Sequence, residues 1–198
     1  MTGFGHKAKH PHIIGVSGKT GSGKSTLSVM LADQLKATLI SWDDYDEIST
    51  DPGNFITWYQ NGQDYTLFNR EALSKNLMNL KNNKETFHAV FNQILPVTQF
   101  IIFDAPLGRM HHETGRFIDT MIHIELPLDV LLCRRLLRDF NNQKNTKDLL
   151  AEIRFYLEHS RPLYFDKELK DTADLVINGM LSPEQELIDV MEYLDDNY

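Results

Sequence analysis

The stretch IIGVSGKTGSGKSTLSVML, residues 13 to 31, leaves a chain few folds to choose from. An apolar, strand-forming run stops abruptly, glycines, lysines and hydroxyl residues take over, and apolar residues then return at helical spacing. Residues 12 to 17 (HIIGVS) read as a buried strand, while Leu27, Met30, Leu31 and Leu35 share one face of a helix over 24 to 36. Between them, Gly18, Gly23, Lys24 and Ser25 satisfy the pattern GxxxxGK[ST] in full. The chemistry of that spacing is specific. Glycines let backbone N–H groups turn inward around phosphate oxygens, and the helix starting near Lys24 aims the positive end of its dipole at the same place. Gly18, Thr20, Gly21, Ser22, Gly23, Lys24, Ser25 and Thr26 are therefore expected to hold the phosphates of a nucleotide. Lys24 should reach the β- and γ-phosphates, Ser25 should offer its hydroxyl to Mg²⁺, and Thr26 should meet the α-phosphate.

The rest of the chain repeats strand and helix in turn. Strands are expected at 38 to 42, 99 to 104, 119 to 126 and 173 to 178, and helices at 70 to 82, 127 to 140, 146 to 159, 162 to 170 and 183 to 195. Pro127 suits the first turn of its helix. Alternation of this kind, with the phosphate loop at 18 to 25, predicts an α/β protein with the three-layer P-loop NTPase fold: a mostly parallel five-stranded sheet with helices on both faces, to which the arginine-bearing helical stretch would add a small helical lid. One domain spans residues 1 to 198, with a flexible tail at 1 to 11, a turn-rich, aromatic and mobile acceptor-side segment at 51 to 70, and a lid region at 134 to 165.

Net charge narrows the partners. At −8, the chain is poorly suited to broad binding of nucleic acid, which needs clustered Lys and Arg. Its single cysteine, Cys133, cannot form an internal disulfide and falls in an apolar helical stretch, so a buried thiol in a cytoplasmic protein is expected. The leading MTGFGHKAKHPH lacks the apolar core of a secretion signal, and no run approaches the roughly 20 apolar residues of a membrane span. His6, His10 and His12 read as solvated side chains rather than a metal tract.

Acids and arginines supply the remaining candidates. Asp104 closes the apolar strand FIIFD, where a phosphate-binding fold needs a carboxylate for the Mg²⁺ shell, directly or through water; an acid there can also simply bond to loop amides. "SWDDYD" puts Asp43 and Asp44 at the carboxyl end of the second strand, where open α/β sheets bind ligands. One of the pair can accept a hydroxyl proton from a phosphate acceptor. Asp43 is the favoured base, against a capping role for either carboxylate. In "CRRLLRD", Arg134 and Arg138 share one helical face and Arg135 lies three residues before Arg138, an arrangement able to close guanidinium groups over a transferring phosphoryl. A solvated basic face is the competing reading. Trp58, Tyr59, Tyr65 and Phe68 could cover a base or sugar or pack beneath the loop; Asp64 could hold sugar hydroxyls, and Arg109, His111 and His112 follow Asp104.

Taken in order, SGKTGSGKS, DDY, RRLLRD and RPLYFDKELKDTADLVING resemble the uridine kinase and phosphoribulokinase branch of P-loop small-molecule kinases over most of residues 12 to 180. The resemblance implies an ATP-dependent kinase acting on a hydroxyl of a small, nucleoside-like metabolite, with ATP and Mg²⁺ bound. It places the acceptor-side aspartate of the D-[SD]-[FY] motif on Asp43, with Tyr45 as its aromatic, and the lid pattern on Arg134, Arg135, Arg138 and Asp139. Lys24, Asp43, Arg135 and Arg138 are then the catalytic set, Asp43, Tyr45, Asp64 and Arg109 the acceptor set, and Ser25 and Asp104 the metal set. Two stretches depart from that branch. FNNQKN, with Lys144 as its cation, replaces an arginine-rich turn, and FDAPLGRMHH replaces a strand ending in glutamate and glycine. The competing function is a nucleotide-binding switch that has no small-molecule acceptor, a reading weakened because QKNTKD lacks the base-reading motif of such switches. Sequence leaves a homo-oligomer open.

Overall fold

The apolar run at the front of the chain becomes the middle of a sheet. In the computed structural model, which describes residues 10–141 and 146–198, β1 (His12–Ser17) lies between two other parallel strands, and everything else is laid down around it. In chain order there follow α1 (Lys24–Leu35), β2 (Thr38–Ser41), a 3-10 turn over Asp43–Ile48, α2 (Phe55–Gln60), a 3-10 turn over Tyr65–Leu67 and α3 (Glu71–Lys81). A short hairpin of β3 (Thr86–Phe87) and β4 (Ile94–Leu95) precedes β5 (Phe100–Asp104), α4 (His112–Gly115), β6 (Thr120–Glu125) and α5 (Leu128–Phe140). The chain closes with α6 (Thr146–Phe155), α7 (Lys167–Asp171), β7 (Leu175–Asn178) and α8 (Pro183–Asn197). The main sheet runs β2-β5-β1-β6-β7 with every pairing parallel, as the alternation of elements requires.

Parallel strands buried on both sides read as continuous apolar text, and here each face has its own core. Ile13, Ile40, Ile101, Phe103 and Met121 point to one side and meet Leu73, Leu77 and Leu80 of α3. Ile14, Val16, Ile102, Ile122, Ile124 and Ile177 point to the other and meet Leu27 and Leu31 of α1 with Val190 and Leu194 of α8. Each such side chain, once fully buried, stabilises the fold by about 1.5–3 kcal/mol. Register then fixes function: Ser17 is paired with His123, and Val16 and Ser41 with Asp104, so the carboxyl ends of four strands open together.

Several expectations shift. The second strand stops at Ser41 because Trp42 takes helical angles and starts the 3-10 turn, its ring buried under the Arg70 guanidinium at 4.5 Å. Pro127 caps α5 from outside rather than sitting in its first turn. The helical text from 146 to 170 is broken into α6, a π turn over Tyr156–Ser160, a 3-10 turn over Arg161–Tyr164 and α7, since Pro162 brings no N–H to continue a ladder. The β3–β4 hairpin falls where the sequence reading placed no strand. Cys133 is exposed, not buried: Leu131 is the buried residue of α5, and the cysteine faces away from it. His12 is half-buried in β1, bonded to Thr120 Oγ1 at 2.8 Å and packed on Tyr198. His6 and Lys144 lie outside the described residues. Among the described residues no helix is long and apolar enough to cross a membrane.

Residues 51 to 68 form a loop closed at its neck. Thr50 and Asn69 exchange backbone hydrogen bonds at its neck, and the buried Arg70 ties the neck down by ion pairs to Asp46 and Asp51 at 3.0 and 2.7 Å.

One tight approach tests the packing. A Cβ at Gly115 would stand 2.7 Å from Arg109 Cα and 2.8 Å from the Gly108 carbonyl, and backbone cannot step aside as a side-chain tip can. Gly115→Ala is expected to lower stability by about 1–3 kcal/mol in urea unfolding; an unchanged midpoint would contradict this packing.

Candidate active site

The phosphate loop forms because its glycines accept angles other residues resist. Gly21 and Gly23 have φ of 89° and 100°, and a Cβ on Gly21 would stand 3.0 Å from the Leu131 carbonyl of α5. The loop folds on itself through Ser22 N–H to the Lys19 carbonyl at 3.0 Å. Gly23 then leads into α1, whose first backbone bond is Leu27 N–H to the Gly23 carbonyl. No side chain caps this twelve-residue helix, so the N–H groups of Lys24, Ser25 and Thr26 and the positive helix end face the loop.

Asp104 meets that helix end from the neighbouring strand. Ser25 Oγ donates to Asp104 Oδ2 at 2.6 Å, while the buried Oδ1 has no hydrogen-bond partner. The side chain is only 4% exposed. Burial pushes its carboxyl above the usual carboxylate range and the charges of Asp43 and Asp44 push the same way, against Lys24 and the Ser25 hydroxyl. A buried carboxylate with one oxygen unmet and too little positive charge nearby fits a hard divalent cation. Among the described residues no cluster of three or more His, Cys, Asp or Glu could hold such an ion, so Ser25 and Asp104 would share it with phosphate and water oxygens.

Across the opening, Asp43 and Asp44 start the 3-10 turn after β2. The two acids diverge. Asp43 is exposed, and its charge is felt at Asp104; Asp44 is half-buried and lies 3.5 Å from His88 Nε2. Tyr45 turns inward, where its hydroxyl accepts from Asn76 at 2.7 Å and burial pushes its pKa up to about 12.

Arg135 and Arg138 of α5 divide in the same way. Arg138 reaches the phosphate loop, with Nη2 3.4 Å from Thr20 Oγ1, while its Nε bonds Asp139. Arg135 turns instead to Glu152 of α6 at 2.7 Å and lies over the Tyr164 ring.

Two acceptor assignments fail on geometry. Arg109 bonds Asp174, the Thr172 carbonyl and the Asp119 carbonyl, all at the amino ends of β6 and β7, the opposite edge of the sheet from the phosphate loop. Tyr45 is part of the core. Asp64 is exposed and caps its own turn, accepting from the Thr66 N–H and hydroxyl. Trp58 and Tyr65 pack edge-on to each other and around Phe68, and His111 is buried against Trp42 with both ring nitrogens bonded. No motif or spacing singles out His88, Arg70 or the buried chain from Ser17 through His123 to Asp166. The signal for His123 was a histidine inside an otherwise apolar strand, TMIHIEL.

No family model matches the chain. It is 27% identical to a uridine kinase of Clostridium tetani over 185 residues, 86% of this chain and 88% of that one. A uridine kinase of Borrelia duttonii is 29% identical over 179 residues, covering 83% and 85%. Among solved structures, a candidate fructose transport system kinase from Silicibacter sp. TM1040 superposes with a TM-score of 0.55 at 18% identity, covering 86% and 91%. Shikimate kinase from Acinetobacter baumannii gives 0.50 at 15% identity over 94% of each chain. The fold is the three-layer α/β P-loop fold that these two structures share.

The raised Asp104 pKa gives a stability prediction. Folding favours the protonated acid, so the ionised form costs stability; that cost is absent well below the ordinary carboxylate pKa and grows as pH rises through it toward the raised value. Asp104→Asn should therefore melt at or above wild type near neutral pH without ligand, converge with it in acid, and lose magnesium-dependent stabilisation by ATP. A fall of several degrees in the ligand-free protein would show that Asp104 is held by its protein neighbours alone.

Proposed function

We propose that this chain is an ATP-dependent kinase that moves the γ-phosphoryl group to a hydroxyl of a small, nucleoside-like metabolite, with uridine the first acceptor to try. The observation that carries it is the Ser25–Asp104 pair at the mouth of the phosphate loop, with an unmet carboxylate oxygen on one side and exposed Asp43 across the opening. The uridine kinases among its relatives support the choice of acceptor class.

Each residue then has a task. Loop amides from Gly18 to Thr26 and the first turn of α1 bind the phosphate oxygens, and Lys24 neutralises charge between the β- and γ-phosphates. Ser25 and Asp104 would hold Mg²⁺, which would supply charge screening for the phosphate oxygens. Asp43 takes the proton from the attacking hydroxyl, so that a neutral alcohol becomes a usable nucleophile as it approaches phosphorus in line. Arg138, already against Thr20, closes over the transferring group; Arg135 joins it on exchanging Glu152 for phosphate. Catalysis is positioning and charge stabilisation in a site that shuts out water.

A coupled ADP-release assay across nucleosides, vitamins and sugars tests this. Turnover should rise with one acceptor class and vanish with Lys24→Ala, and Asp43→Asn should cut kcat by roughly 10²–10⁴ while ATP still binds. Asp43→Asn that keeps near-normal turnover would remove the base assignment; no stimulation by any acceptor would overturn the kinase reading.

A further inference from the structure

A buried imidazole beneath the phosphate loop joins two parts of the molecule that phosphoryl transfer alone gives no reason to connect. His123 lies fully buried in β6, on the sheet face that α3 covers, and its register partner in β1 is Ser17, the residue before Gly18. Its Nδ1 is 2.9 Å from Ser17 Oγ and its Nε2 is 3.1 Å from Asp166 Oδ2. A carboxylate accepts only, so Nε2–H donates to Asp166, while Nδ1 meets the Ser17 hydroxyl, which also donates to the Ile122 carbonyl at 3.3 Å. Ser17 is completely buried, which rules out a nucleophile's role for the trio.

Asp166 stands immediately before α7, where the helical segment from 146 onward returns to the sheet. Burial pushes its carboxyl up, but the bond and charge of His123 and the charge of Lys19 outweigh it and hold it low. Lys19, the second loop residue, is itself driven down by burial, with Asp166 first among the groups that preserve its charge. Asp166 thus faces the loop twice, through His123 to Ser17 and through charge to Lys19. Ser17 and Asp166 share a partner without bonding to each other.

We propose that His123 is a positioning residue for the phosphate loop, fixing its first residues to the exit of the lid so that lid docking and nucleotide binding reinforce one another. This rests on the reading that the loop binds a nucleoside triphosphate. An imidazole hydrogen-bonded at both ends, to a fully buried Ser17 and a half-buried Asp166, couples displacement at one end to the other. The loop can then keep its phosphate-binding shape before the nucleotide arrives.

Replacing His123 itself risks misfolding, so the ends are the better variants. MgATP affinity is measured calorimetrically for wild type, Ser17→Ala, Asp166→Ala, the double variant and Asp166→Asn, each first checked by melting. Each single truncation is expected to weaken binding roughly 5- to 20-fold, and the double variant to be little weaker than the worse single, because cutting the chain once releases the loop. Asp166→Asn, which keeps an oxygen for Nε2–H, should recover much of the loss. The His123 ring ¹⁵N resonances should shift on MgATP addition in wild type, a response that a purely structural role would not give. Single variants with wild-type affinity, or losses that multiply in the double variant, overturn the proposal while leaving nucleotide binding intact. Failure of wild type to take up ATP overturns both.

Discussion

Asp104 is the constraint on which the site depends. The sheet carries its carboxylate to the mouth of the phosphate loop and buries it, yet supplies only the Ser25 hydroxyl to one oxygen. A protein selected for stability alone has cheaper choices at that position, since an unpaired buried carboxylate oxygen costs free energy that an apolar residue would not. The deficit makes sense as a place kept for a cation and the phosphates that come with it. Loop glycines, an uncapped helix end and exposed Asp43 stand round the same point for compatible reasons.

The two edges of the sheet have separate work. At the amino ends of β6 and β7, charges are matched and spent on structure. Arg109 clasps Asp174, and Lys81 pairs with Asp119, whose other partner is the Ile13 N–H. At the carboxyl ends charge is left unbalanced: burial and the charges of Asp43 and Asp44 push the Asp104 carboxyl up, against Lys24 and the Ser25 hydroxyl. Arg135 rests on Glu152 and Arg138 on Thr20, protein groups that phosphate would replace under the proposed function.

The five main strands, their helices and the phosphate loop were legible because they rest on local pattern: apolar runs of strand length, helical spacing and a glycine loop whose chemistry tolerates few alternatives. Ser25 and Asp104 followed from that loop, since a parallel sheet must bring the end of one strand beside the start of the next helix. The misreadings came where the outcome depends on which distant chain arrives first. Arg109 has the composition of a ligand-binding residue, but Asp174, 65 positions away, takes it. Tyr45 follows the two acids in sequence, yet the 3-10 turn rotates it into the core, and Cys133 shows the same uncertainty of face on a helix with few buried residues. His123 was visible only as a polar letter in an apolar strand, because its partners, Ser17 and Asp166, lie 106 and 43 residues away.

The central claim is that the amides between β1 and α1 cradle a triphosphate whose metal rests on Ser25 and Asp104. Calorimetric titration of the intact protein with ATP, run with magnesium and again with excess chelator, tests it most directly. The account predicts saturable uptake of one nucleotide per chain that weakens markedly when magnesium is removed. No heat of binding with magnesium present, or affinity indifferent to the metal, would contradict it.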